Sequence, residues 1–513
     1  MIRTFDFTAS SAWPRTVSFK RCLGYSIVLT IFSLVVFRAG HQSISHDEAV
    51  TYNLFASQGL PTIFLTFHSN NHTLNTFLMW LSTSIFGLSV FSVRMPALLG
   101  AVIYLTSTER ICNLSFKNSA YYALALLALA TSPFLLDYLT IARGYSLALG
   151  LLMLALFFVW KQVSTRPERT VYHEGLISIL AALSVSANLS FAFVNMALLL
   201  AYALLLAVHY YQKELSARQL ALKVLLLAVP GALLYCIITP SIQNFSADTL
   251  YFGTGSWHRT FDTLTTELFD GYRPALLPVN WQELAGNVAR YLPYCFILLI
   301  IAAVFVLLPK TIQYVFSNAP LEPAEALWVL VALNLSITVL LLSAARLFFG
   351  VLLPRERTGI YFVPLFLLLA CLSIASFQKP GLQKALRAIG QFCLVVTVLY
   401  FGLAVRVNSF RETLYDSGTE ATFQVLLRTL KEYPGARVAA NWVFEPSLNF
   451  YRTMYKVEGL NRFTRRAVYA DYRLLILLPS DDGDRQYIDS HDVRVLYTNP
   501  DSGAVLVLNP VSP

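Results

Sequence analysis

The chain has 513 residues, is 56% apolar and only 13% charged, and carries a formal net charge of +9. Soluble domains are roughly a quarter charged, so this composition excludes an ordinary soluble globule and predicts an all-α polytopic membrane protein. The positive balance is what orienting charges beside membrane spans produce, so no nucleic-acid partner is expected.

In chain order, Arg3, Arg15, Lys20 and Arg21 precede the apolar run "YSIVLTIFSLVVF". No small-residue cleavage site follows it. The first span, 22–38, is therefore expected to be an uncleaved anchor with its N-terminus in the cytoplasm. Further spans are expected at 91–108, 119–136, 144–160, 174–188, 190–209, 220–240, 289–308, 324–345, 358–376 and 389–406. Leu74–Gly87 is too short to cross, because 14 residues of helix cover ~21 Å. It is expected to lie flat at the outer interface, where Phe77, Met79 and Trp80 suit it. That choice puts Lys161, Arg166 and Arg169, then Lys213, Arg218 and Lys223, then Lys379, Lys384 and Arg387 inside.

About 11 spans result, with the large outer pieces at 39–90, 241–288 and 409–513. The chain is expected to divide into a transmembrane part, 1–408, and a small extracytoplasmic α/β domain, 409–513. In the latter, helix-like "GTEATFQVLLRTLKEY" is followed by strand-like "ARVAAN", "YRLLILLP", "VRVLYTN" and "AVLVLN". The six cysteines lie in or beside apolar segments and offer no disulfide framework.

The first outer loop carries "SISHDEAVTY". Ser45-x-x-Glu48 fits a capping box that opens a helix. That accounts for Glu48 but not for Asp47, since one cap needs one reciprocal carboxylate. An aspartate where a span meets water can take a proton from a hydroxyl, with apolar surroundings raising its basicity. Asp47 is therefore the candidate general base. His41, His46, His68 and His72 share the loop and could form a metal site with Asp47 and Glu48, but their spacing matches no ligand pattern. Divalent metal is possible and not expected. Arg143, Arg346, Arg355 and Arg357 lie in outer turns against the orientation bias, where guanidinium groups need anionic partners and suit phosphate bidentately.

In this order, "HDEAVTYN", "NNHTLNTFLMWLSTSIFGLSVFSVRMPALLGAVIYL", "SPFLLDYLTIARGYSLALG" and "LPRERTGIYFVPLFLLL" resemble the motifs of the GT-C superfamily of polyprenyl-phosphate-sugar-dependent glycosyltransferases, over roughly residues 25–375. The similar branch includes protein O-mannosyltransferases, lipid A aminoarabinose transferases and lipopolysaccharide-core galacturonosyltransferases. The resemblance implies transfer of a hexose or pentose from a polyprenyl-phosphate donor to a lipid, glycan or protein acceptor, with inversion, at the outer face of the plasma (inner) membrane. It implies Asp47 and Glu48 as catalytic residues and Arg143, Tyr145, Arg355 and Arg357 around the donor phosphate. It further implies His46, His72 and Asp137 in acceptor or supporting roles, with no nucleotide or other cofactor. The chain departs from the pattern at His72-Thr73-Leu74 in place of His-Pro-Pro, at Ile141 in place of an acid, and at Gly144 where one branch has Asp. A transporter or flippase of lipid-linked sugars would show midplane Gly/Pro breaks and inverted repeats, and a non-catalytic scaffold would leave Asp47 and the arginines unexplained.

Overall fold

Uncharged runs of Leu, Ile, Val, Phe and Ala have no hydrogen-bond partner in hydrocarbon except their own backbone, so they coil into helices. The computed structural model describes residues 19–164, 172–244, 252–270, 274, 277–317, 319–465 and 468–509. Arg3, Arg15, Arg166 and Arg169 lie outside the described residues.

The order is α1 (Phe19–His41), α2 (His46–Leu54), α3 (Leu60–Leu65), α4 (Thr73–Phe86), α5 (Val90–Ser115), α6 (Ser119–Ala130) and α7 (Pro133–Thr140). There follow α8 (Tyr145–Ser164), α9 (Tyr172–Ala187), α10 (Ala192–Tyr211), α11 (Ala217–Ile238), α12 (Trp257–Thr265), α13 (Val279–Arg290) and α14 (Leu292–Ser317). Then come α15 (Pro323–Phe349), α16 (Phe362–Ser376) and α17 (Leu382–Ala404). Among the described residues, 8 helical stretches are long and apolar enough to cross a membrane. A ninth is the pair α6 and α7, bent by 59° at a two-residue break, and the short apolar α9 and α16 complete the set. Each expected span falls on one of these pieces. The protein is an integral membrane protein, all-α through this region.

The burial pattern has the inverted polarity that lipid imposes. On α4 the buried positions include Thr73, Asn75, Thr76, Met79 and Ser82, while Leu81, Ile85 and Phe86 are exposed. On α14 Leu298, Ile301, Phe305 and Leu308 face outward. Water would reverse that arrangement.

The C-terminal segment adds α18 (Thr419–Glu432), β1 (Val438–Ala440), α19 (Glu445–Met454), β2 (Leu474–Leu477), α20 (Asp482–Ser490), β3 (Arg494–Thr498) and β4 (Val505–Leu508). The sheet order is β1-β2-β4-β3, with β1 parallel to β2 and the other pairs antiparallel. This segment does not stand apart from the first outer loop. Ile44, Ala49, Met79 and Val93 share one apolar cluster with Phe423, Leu448, Phe450 and Tyr451. The Tyr451 hydroxyl accepts from the Ile44 N–H at 2.9 Å, and Asn53 donates to the Pro446 carbonyl at 2.9 Å.

A strap of four residues leads out of α17 into this segment. The Ser409 carbonyl accepts from Arg38 at 3.4 Å, and the Phe410 ring lies 5.1 Å from both the Arg38 and the Arg94 guanidinium carbons. The Arg411 N–H donates to Asp137 at 3.0 Å while its side chain pairs with Glu267, and Glu412 pairs with Arg357. Four consecutive residues thus tie α1, α5, α7 and the segments carrying Glu267 and Arg357 together.

Candidate active site

The motif at residues 43–52 forms the start of α2, and the capping box is present: Ser45 accepts from the Glu48 N–H at 3.4 Å, and Glu48 accepts from the Ser45 N–H at 2.9 Å. The same carboxylate takes two bonds from Arg94, at 3.0 and 2.8 Å, and one from the Ala142 N–H at 2.8 Å. Glu48 and Arg94 are both fully buried. Burial pushes the Glu48 carboxyl up, but the Arg94 charge and these bonds outweigh it and hold it below its ordinary value. A saturated, buried carboxylate cannot reach a substrate. The expectation that Glu48 shares the chemistry with Asp47 does not fit this setting, and the contacts assign it a positioning role instead.

Asp47, one residue earlier, turns the other way. It forms an ion pair with Arg143 and accepts from Asn70 at 3.4 Å, and its side chain is 24% exposed. Burial raises its pKa, but Arg143 first and Arg357, His46 and His72 after it bring it below the ordinary carboxylate value. Arg143 also donates to the Asn70 side-chain oxygen at 3.1 Å. It sits in the bend between α7 and α8, whose Ala142 N–H is the group held by Glu48. The two carboxylates therefore grip consecutive residues of that bend, Glu48 by backbone and Asp47 by side chain. Gly144 continues the bend at φ +74°, and a Cβ there would lie 1.9 Å from the Ala187 carbonyl oxygen. No aspartate could occupy that position here.

Two cavities meet at this wall and share His68, Ser69 and Asn70. The first, about 150 Å³, is lined by Arg143, Arg357, Tyr145, His72, Asn188 and Phe252 among others, and among the described residues no carboxylate lines it. Arg143 Nε and His72 Nε2 are buried in it without a hydrogen-bond partner among the described residues. Burial, and next Arg143, drive the His72 pKa down to about 3, so its ring is neutral. The Arg357 guanidinium lies over the Phe252 ring at 4.3 Å. The Phe252 loop is fixed by paired backbone bonds of 2.9 Å between Thr254 and Leu353. Arg143 and Arg357 are each paired with an acid outside the lining, Asp47 and Glu412, and the unpartnered Arg143 Nε is the donor that suits this cavity to an anion.

The second cavity, about 580 Å³, is lined by Asp47, His46, Val50 and Asn53 from α2 and by Trp442, Glu445, Pro446, Arg462 and Arg465 from the C-terminal segment. The C-terminal segment also braces α2. Asp416 accepts from the His46 N–H at 2.7 Å and from the Ser447 hydroxyl at 3.2 Å, and His46 Nδ1 lies 2.7 Å from the Val443 carbonyl. Asp416 is buried, and burial, with Asp47 and Glu48 nearby, raises its pKa well above the ordinary carboxylate value.

The other expected site residues divide. Tyr145, His72 and Arg357 line the first cavity and His46 the second. Arg355 is half exposed, pairs with its neighbour Glu356 at 2.8 Å, and lines neither cavity. Arg355 therefore stands apart from the cavity that Arg143 and Arg357 line. Asp137 is buried against Arg38 and accepts from the Arg411 N–H, away from both cavities. Its position suits it to holding the strap rather than an acceptor. Arg346 donates to the Gly350 carbonyl at 3.5 Å, and His41 stacks on Phe37. Among the described residues no three His, Cys, Asp or Glu side chains come together as a metal-ligand set. Sequence reasoning met Arg94 only inside an Arg-x-Pro span and did not single out Asn70, Asp416 or Trp442.

No family model matches the chain, and no curated protein matches it. Among solved structures, the chain is similar to ArnT from Cupriavidus metallidurans bound to undecaprenyl phosphate, with 12% identity and a TM-score of 0.49 over 96% of this chain and 99% of that one. The apo state of the same protein gives 13% and 0.48 over the same shares. The arabinosyltransferase EmbB from Mycobacterium smegmatis gives 12% and 0.43 over 97% of this chain and 46% of that one. At these values the chemistry has to be read from the residues of the site itself.

Proposed function

We propose that this protein is an inverting glycosyltransferase that moves a sugar from a polyprenyl-phosphate carrier to an acceptor hydroxyl at the outer face of the plasma (inner) membrane. The N-terminus lies in the cytoplasm and residues 409–513 form the extracytoplasmic part beside the 1–408 catalytic part. The observation that carries this reading is the Asp47–Arg143 ion pair, which forms the wall between an anion-binding cavity and a larger, open one. The ordered motifs of the sequence support it as well.

The donor phosphate sits in the first cavity against Arg143 and Arg357, with Tyr145 and His72 beside it. The acceptor hydroxyl enters from the second cavity. Its oxygen forms a bond to the anomeric carbon, its proton passes to Asp47, and the bond to the phosphate oxygen breaks with its electron pair retained by polyprenyl phosphate. Guanidinium groups favour this step because negative charge grows on the phosphate as that bond lengthens. Attack from the face opposite the leaving group inverts the anomeric centre.

Arginine also times the base. While Arg143 pairs with Asp47 it keeps that carboxylate weakly basic. A phosphate that draws the guanidinium toward itself raises the basicity of Asp47 once donor is bound. No nucleotide is required, and metal is not needed to ionise a group already charged.

The test is release of polyprenyl phosphate from a panel of polyprenyl-phosphate sugars by the purified protein in lipid nanodiscs. The parent turns over at least one donor, and Asp47→Asn loses activity by about 10²–10⁴-fold. Full activity in the variant removes Asp47 as base. Sugar-lipid movement across vesicles without turnover identifies a transporter instead.

A further inference from the structure

We infer that the second cavity is a binding site for a saccharide bearing a carboxylate or a phosphate, built by the C-terminal segment around Trp442 and Arg462. Its place in the reaction, as the acceptor site, rests on the transferase reading above; its chemistry rests on its own lining.

Among the described residues that line this cavity, the charges leave one cation unpaired. Asp47 is neutralised by Arg143, and Glu445 by Arg465 at 3.3 Å together with a 2.6 Å bond from Asn449. Arg462 has no ion-pair partner among the described residues and lines the cavity. A free guanidinium on a cavity wall selects a ligand with an anionic oxygen, and its planar fork fits carboxylate and phosphate equally.

Trp442 supplies the other half. The residue is 52% exposed and lines the same cavity, with the His46 ring at its edge. Its ring plane is set at 78° to that of His46, 6.0 Å away, and His46 is itself anchored on the Val443 carbonyl. A fixed indole face beside asparagine and histidine side chains recognises the apolar face of a sugar ring while its hydroxyls bond at the edge. A neutral glycan would leave Arg462 unpaired. The size agrees: about 580 Å³ lies within the range of small-molecule sites, ~300–1,000 Å³.

The experiment is calorimetric titration of the full-length protein in nanodiscs, without donor, with three disaccharides ended by a uronic acid, a hexose phosphate or the neutral hexose. At least one charged probe binds about tenfold tighter than the neutral one, and the better of the two identifies the anionic group. Arg462→Ala erases this preference, with Arg462→Gln carrying the same readout if the alanine variant unfolds early. Trp442→Ala weakens all three probes about tenfold, and Trp442→Phe restores most of the loss. Arg485→Ala, on α20 and outside both cavities, keeps the parent pattern. Equal binding of charged and neutral probes by the parent, or a preference that survives both Arg462 variants, overturns the inference. Tighter binding of an acidic peptide, indifferent to Trp442, also overturns it. Saccharide binding without turnover of any donor keeps the site and retires the transferase. Donor turnover with neutral acceptors alone does the reverse.

Discussion

Asp47 and Glu48 are adjacent in the chain, identical in charge and each paired to an arginine, yet they do opposite work. Glu48 and Arg94 lie at zero exposure with every carboxylate lone-pair direction used, between the cap of α2 and the bend that carries Arg143. Asp47 and Arg143 keep one side open and leave a guanidinium N–H unbonded. The difference teaches that an acid–arginine pair becomes reactive through what it lacks. A full set of partners makes a strut, and a missing one makes a site.

The comparison breaks first at activity. If Asp47→Asn keeps turnover within tenfold of the parent while Glu48→Gln abolishes it in a fully folded protein, the two roles are reversed. The expected result is a loss of about 10²–10⁴-fold in polyprenyl phosphate release for Asp47→Asn, with a smaller cost in stability than at position 48. Next is Glu48→Gln itself, which strands Arg94 in a buried setting and costs about 3–5 kcal/mol, read as a lowered thermal unfolding midpoint in nanodiscs. Arg143→Lys keeps the charge and loses the fork. A fall of about 10²–10³-fold in turnover, with donor binding weakened, is expected.

The smallest effect is in pH. His72 has a folded value of about 3 against an ordinary 6.5, so as pH falls below 6.5 the unfolded chain takes the proton first. Stability then declines between pH 6.5 and 3, by at most about 1.4 kcal/mol per pH unit. His72→Asn flattens that limb in unfolding measured against pH. Asp416 acts with the opposite sign, because its raised folded value gives a contribution that is complete below 3.8 and lost as pH rises through that folded value. Asp47, whose value is depressed, stays ionised down to below 3.8 and loses its contribution only as pH falls through its folded value. Without donor it therefore sets no limb between pH 5 and 8.

The sequence disclosed what is local. Long apolar runs declare spans because every turn of such a helix must be greasy, and Ser45-x-x-Glu48 declares a cap because its partners are three residues apart. Choosing Arg357 over Arg355 was beyond it: the two stand two positions apart in one turn, and only the fold decides which faces the cavity and which faces solvent. Asp416 and Trp442 reach His46 on α2, and Tyr451 reaches Ile44 just ahead of it, across 370 to 407 positions of sequence, and no periodicity records such pairings. The expected boundary at 408 rests on a change in composition, whereas the cluster joining Ile44 and Ala49 to Leu448 and Phe450 leaves no such trace, since apolar residues far apart in the chain carry no mark of each other.

The strap at Ser409–Glu412 bears on how this chain can be dissected. Because Glu412 neutralises Arg357, Phe410 shields Arg38 and Arg94, and Arg411 holds Asp137, a truncation after α17 does more than remove a cap. It bares cationic groups at the membrane rim and uncovers the greasy flank of α2 in the same stroke. A shortened gene would thus yield a substrate for membrane proteases, and the two halves are best studied as a single inheritance.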